Sequence, residues 1–149
     1  MVSVYEPKQK FDKAEFQKVC FSNDIAFPKT YLDFLELHND GELESNIISD
    51  FDDCAVNYFF GTTSEEYSNF ADNLEMYKTR MPEHCVPIAE AEGGNLLCMS
   101  LEENSYGAIL WWDHETMDVD EDEVCPYSIS EMYIIAKDFD ELLSKIIPY

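Results

Sequence analysis

Residues Val86 to Glu115 read VPIAEAEGGNLLCMSLEENSYGAILWWDHE, and this stretch decides the fold. Three apolar runs are separated by two turns. Val86, Ile88 and Ala89 form the first run, Leu96, Leu97, Cys98, Met99 and Leu101 the second, and Ala108 to Trp112 the third. Gly93-Gly94-Asn95 lies between the first two and supplies residues that tolerate positive φ; Asn104 to Gly107 punctuates the second junction. The pattern predicts a three-stranded antiparallel meander that ends abruptly at Asp113-His114-Glu115. In a regular strand Trp111 and Trp112 face opposite sides. One then enters the core, while the other is partly exposed or lies beneath a helix.

Outward from the meander, the periodicity changes several times. Phe11, Ala14, Val19 and Cys20 share one face of a helix over 11–20, and Tyr31, Leu32, Leu35 and His38 do so over 28–38, with Pro28 in its first turn. Asn39-Asp40-Gly41 stops that second helix with a residue able to turn left-handed. Between Ile47 and Phe60, Cys54, Val56, Tyr58 and Phe60 alternate with Ala55 and Asn57 at the spacing of a strand, which Gly61 ends. Two overlapping capping boxes, Thr62 with Glu65 and Thr63 with Glu66, predict a helix from about Thr63 to Arg80 that buries Tyr67, Phe70, Leu74 and Tyr77. A short extended run at Met132–Ala136 precedes a last helix capped by Asp138 and Glu141, which buries Phe139, Leu142, Leu143 and Ile146. The expected architecture is α+β: a single domain over residues 1–149, with a mostly antiparallel sheet of about five to six strands. N-terminal, central and C-terminal helices pack on that sheet.

Composition bounds the function. With 149 residues, 46% hydrophobic and 14% aromatic, the chain has enough material for one core. Its apolar runs reach only about five residues against the ~20 that span a bilayer, and the N-terminus shows no secretory pattern, so a cytoplasmic location is expected. Cys20, Cys54, Cys85, Cys98 and Cys125 are odd in number and scattered, as reduced buried thiols would be. The net charge is −23, and 25 of the 32 acids fall in two stretches, 30–77 and 81–136, that contain no Lys or Arg. Such a field repels phosphate, which excludes nucleic acid and anionic membranes as partners. It suits solubility, a cation or a basic protein.

The densest acidic run is Asp118, Asp120, Glu121, Asp122 and Glu123, preceded by Asp113 and Glu115; a second set comprises Asp40, Glu42, Glu44, Asp50, Asp52 and Asp53. Asp118, Asp120 and Asp122 begin like a calcium loop, but Glu123 replaces the required Gly and Ile129 stands where a bidentate acid is needed. The run is thus a solvated loop or a docking surface for a basic partner. His38, His84 and His114 have no second histidine at helical ligand spacing. Asp113, His114 and Glu115 cannot converge along a regular strand, and His84 beside Cys85 does not place an imidazole on the sulfur. No phosphate loop, nucleophile elbow or zinc pattern is present. No catalytic residue, metal or cofactor is expected.

Three blocks together resemble the SUKH (Smi/Knr-like) superfamily. They are Phe27-Pro28-Lys29-x-Tyr31-x-x-Phe34-Leu35 with Asn39-x-Gly41; Pro87-Ile88-Ala89 with Gly93-Gly94-Asn95, Gly107 and Asp113-His114-Glu115; and Ile134-Ile135-Ala136 with Phe139, Leu142 and Leu143. Phe27 departs from the usual Leu, Asp40 separates Asn39 from Gly41, and Asp138 stands where the family commonly has Ser. The resemblance implies an α+β, non-catalytic immunity protein that binds and neutralises a toxin of neighbouring cells; the alternative it allows is a regulatory scaffold or adaptor. With a basic, nuclease-type toxin domain as partner, the expected contacts are Asp118, Asp120, Glu121, Asp122 and Glu123 of the first set and Asp40, Glu42, Glu44, Asp52 and Asp53 of the second, with Trp112 as an apolar anchor, and the free protein is a monomer or weak dimer.

Overall fold

Strands that follow one another in sequence lie side by side from the first to the sixth, joined by turns, by a helical segment and, between the fifth and sixth, by a long loop. The computed structural model of the chain describes residues 9–39, 43, 45–52, 54–120 and 122–148. The helices are α1 (Lys13–Ser22), α2 (Lys29–His38), α3 (Phe70–Tyr77) and α4 (Phe139–Lys145). The strands are β1 (Ser45–Ile48), β2 (Cys54–Phe59), β3 (Cys85–Ala91), β4 (Leu96–Ser100), β5 (Ile109–Trp112), β6 (Tyr133–Ala136) and β7 (Ile146–Pro148). Among the described residues they form one seven-stranded sheet in the order β6-β5-β4-β3-β2-β1-β7, antiparallel at every pairing. The α+β class and the meander are as expected. Gly93 and Gly94 adopt φ of 76° and 81° at the first turn, a region that costs glycine little.

Four local expectations are corrected. The single strand over 47–60 is a hairpin: β1 and β2 flank a turn in which Phe51 N–H donates to Ile48 O, Cys54 N–H donates to Phe51 O, and Asp52 takes φ 50°. A bulge between Val56 and Tyr58 shifts the alternation, so Phe59 is buried and Tyr58 only half-buried. The middle helix begins at Phe70, not near Thr63, because Gly61 ties down the preceding segment by donating to Ser68 O and accepting from Phe70 N–H. Tyr67, in that segment, is 61% exposed. On α1 Cys20 is buried as expected, but its partner in the core is Phe16 rather than Ala14, which is exposed. The seventh strand was not expected: Ile146 follows α4 directly in extended conformation, and β7 pairs with β1.

Residues paired across an antiparallel ladder share a face. Tyr58, Glu90, Leu96 and Trp112 therefore share one face, and Phe59, Ala89, Leu97, Trp111 and Tyr133 the other. Tyr77 of α3 meets Trp112 edge-on with centroids 5.4 Å apart, which places α3 on the first face. Phe34 of α2 and Phe139 of α4 pack on Phe59 at 5.1 and 5.7 Å, which places these helices on the second. Phe16, Phe27, Phe70 and Tyr31 continue that aromatic core around the end of the sheet. Aromatic rings dominate such a core because each removes a large apolar area from water.

Phe51, in the β1–β2 turn, lies 4.8 Å from Trp111 on β5 and 5.1 Å from Tyr133 on β6. Those strands are several places away in the sheet order, so the sheet curls until its far strands meet the first hairpin.

Candidate functional site

The acidic loop leaves β5 at Asp113 and returns at β6, and specific bonds hold it along its length. Asp113 starts it as a turn: its carbonyl accepts from Met117 N–H at 2.8 Å, and its Oδ1 accepts from Glu115 N–H at 2.9 Å. His114 N–H donates to Asn95 Oδ1 at 3.1 Å, and the His114 ring lies against Gly94, where a Cβ would stand 3.6 Å from Nε2. The Gly-Gly-Asn turn therefore seats the start of the loop. Farther on, Cys125 N–H donates to Thr79 O at 3.0 Å, and the Tyr127 hydroxyl donates to Thr116 O at 3.3 Å. Ser128 and Glu131 close the loop as a reciprocal capping box.

Between these anchors, Arg80 grips Asp118 with two hydrogen bonds, Nε to Oδ1 at 2.8 Å and Nη2 to Oδ2 at 2.5 Å. The guanidinium carbon also sits 4.8 Å from the centroid of the Tyr77 ring. The Arg80 hydrogen bonds hold the Asp118 carboxyl below the usual carboxylate range. Asp118 therefore fastens the loop to the end of α3 and offers little free charge. Asp120, Asp122 and Glu123 are exposed, and His114, Asp118, Val119, Asp120 and Glu123 line a shallow concavity of about 380 Å³. Glu121 lies outside the described residues.

Of the second acidic set, Asp40, Glu42, Glu44 and Asp53 also lie outside the described residues. Asp50 accepts from Lys145 Nζ at 2.9 Å, and Asp52 is exposed beside Phe51. Through the contacts of Phe51, the turn carrying Asp50 and Asp52 is brought against the strands at the base of the acidic loop.

Trp112 is not a surface anchor. It is fully buried beneath Tyr77, and its indole N–H has no acceptor among the described residues. Its neighbour Trp111 is the half-exposed ring, since the two alternate across the strand. Trp111, Met117, Tyr127 and Tyr133 line a groove of about 450 Å³ between the two ends of the loop, together with Asp113, Thr116 and Glu131. Trp111, Tyr127 and Tyr133 went unselected at the sequence level. The available signal was the alternation of the tryptophans together with two tyrosines bracketing the return of an acidic loop.

The remaining chemistry-bearing side chains are dispersed. His38 packs on Phe34, and burial lowers its pKa. Cys20, Cys54, Cys85 and Cys98 are buried; burial pushes Cys20 up to about 11 and Cys54 up to about 12, far from a reactive thiolate. Among the described residues no three His, Cys, Asp or Glu side chains are grouped to hold a metal ion, and no helix is long and apolar enough to cross a membrane.

A family model described as the SMI1/KNR4 family (SUKH-1) matches residues 10–145. The chain is also 26% identical to an SPbeta prophage-derived uncharacterised protein, YokK, of Bacillus subtilis strain 168. That match covers 80% of this chain and 66% of the relative's length.

Proposed function

The chain belongs to the SMI1/KNR4 (SUKH-1) family, and from that premise we propose that it is an immunity protein that neutralises a toxin by binding it. The partner is a basic, nuclease-type toxin domain of a bacterial polymorphic or contact-dependent system, met in the cytoplasm. The observation that carries this reading is a loop fastened by Arg80, Thr79 and Asn95 while Asp120, Asp122 and Glu123 stay exposed. Among the described residues, the acids that form an ion pair are Asp33, Glu36, Asp50, Glu75, Asp118 and Glu141, and the acid surplus of the chain leaves most of the others without one.

A nuclease presents Lys and Arg to grip phosphate, and a pre-shaped carboxylate loop competes for those groups as a polyanion. Holding the loop in advance lowers the ordering cost of binding. The acidic field accelerates encounter, and apolar contacts at the base of the loop prolong the complex. No bond in the toxin is made or broken.

Co-expression tests the proposal. Cells producing the toxin domain encoded beside this gene survive when the chain is present and die when it is absent. Cell death despite abundant folded chain defeats the proposal, and capture of several host proteins at modest affinity would support the adaptor role instead.

A further inference from the structure

We propose that the groove between the two ends of the acidic loop is a receptor for an arginine side chain on the partner's basic surface. The proposal rests on the partner being a basic protein, not on its being a toxin. The groove is lined by three aromatic rings, and Tyr133 remains 58% exposed at the outermost strand of the sheet. Two carboxylates line it as well. Asp113 uses Oδ1 for the Glu115 N–H and Glu131 uses Oε2 for the Ser128 N–H, so each carboxylate is oriented while its other oxygen has no partner among the described residues. Among the described residues no Lys or Arg lines the groove. Lys145, on α4, is held by Asp50, Glu141 and the carbonyl of Ile135.

Aromatic faces beside fixed carboxylates suit a guanidinium better than an ammonium. The planar group stacks on a ring and donates in a fork, and it sheds water more readily than a lysine head. The same loop already accepts one arginine in this manner, since Arg80 lies over Tyr77 while bonding Asp118 through two nitrogens. A second copy of the chain is a poor occupant, because each copy carries a net charge of −23. The β6 edge that such a copy would pair with also has its Ile135 carbonyl occupied by Lys145.

The test uses the full chain and three peptides: hexa-arginine, hexa-lysine and hexa-citrulline, the last keeping the shape of arginine without its charge. Binding is followed by nuclear magnetic resonance of the two indole N–H groups and the loop amides. Hexa-arginine is expected to shift Trp111 and Tyr133 and to bind about tenfold more tightly than hexa-lysine, as one desolvated cation–π contact implies. Hexa-citrulline should leave the spectrum unchanged. Tyr133→Ser and Glu131→Gln should each erase most of the preference for arginine, whereas Glu103→Gln, at an exposed acid that does not line the groove, should change affinity less than twofold. Met117→Lys offers an independent block should Tyr133→Ser unfold.

Equal affinity for the arginine and lysine peptides, or shifts confined to 118–123, overturns the groove. So does a dimer that Tyr133→Ser disperses, because it assigns the groove to a second copy. Arginine-specific shifts at Trp111 in a chain that gives no protection against the toxin uphold the groove while defeating the immunity role. Protection that survives Tyr133→Ser undiminished does the reverse.

Discussion

The Asn39 side chain is 1% exposed and donates to the carbonyls of Gln9 at 3.0 Å and Thr62 at 2.9 Å. Its Oδ1 accepts from Thr62 N–H at 2.8 Å, so one amide joins three separate segments of chain. Gly61 lies so close that a Cβ there would stand 2.1 Å from that oxygen. Asn39→Ala strands several backbone groups at once and should lower unfolding stability by about 2–4 kcal/mol in urea titrations. Helix α2 ends at Asn39 as read, but with φ −51° rather than a left-handed value, and the side chain of this cap residue serves in addition as a buried clasp; Asp40 and Gly41 lie outside the described residues. Sequence suggested only the stop, because the clasp depends on Thr62, twenty-three residues away. Asp118 gives a second residue-scale outcome. Its folded pKa lies below the ordinary 3.8, so its contribution to stability is full above that pH and is lost as the pH falls through the lower folded value. Comparing urea stability of the wild type with Asp118→Asn cancels the background of other acids. The gap between them should be widest near neutrality and close below pH 3.8.

Among the elements, the helices show which sequence signals are sufficient. Asp138 caps α4 as read, its Oδ1 accepting from Glu141 N–H at 2.8 Å. For α3, Thr62 and Thr63 offer capping boxes with equal local merit, but Thr62 Oγ1 is engaged by Asp12 N–H and Thr63 Oγ1 by Glu65 N–H in a turn. The working cap is Asn69, which accepts from Asp72 N–H at 3.2 Å. Asn69→Ala should therefore cost about 1 kcal/mol of thermal or urea stability, more than Thr63→Ala. The meander was legible because its glycines and apolar runs are local signals. The β1–β2 hairpin was not, since its turn contains no glycine and it is Asp52, among the described residues, that takes the left-handed conformation. The aromatic groove was legible only in part. Alternation separates Trp111 from Trp112, but the curl of the sheet, which no local pattern encodes, decides which ring is covered.

For the whole molecule, charge and architecture divide the work. Helices pack on both faces of a curled sheet, and among the described residues most of the acids lie on the connections between elements. In the proposed role the chain occupies the toxin's surface, one molecule for one molecule, and more strongly when salt is low. An enzyme that destroyed the toxin would instead work at a small fraction of the toxin's concentration. The deciding measurement is residual toxin activity during titration of the purified toxin domain with this chain, at low and at physiological ionic strength. The account predicts a fall to zero at one equivalent in low salt, with a higher concentration needed as salt rises. Inactivation complete well below one equivalent, or full toxin activity at several equivalents in low salt, would contradict it.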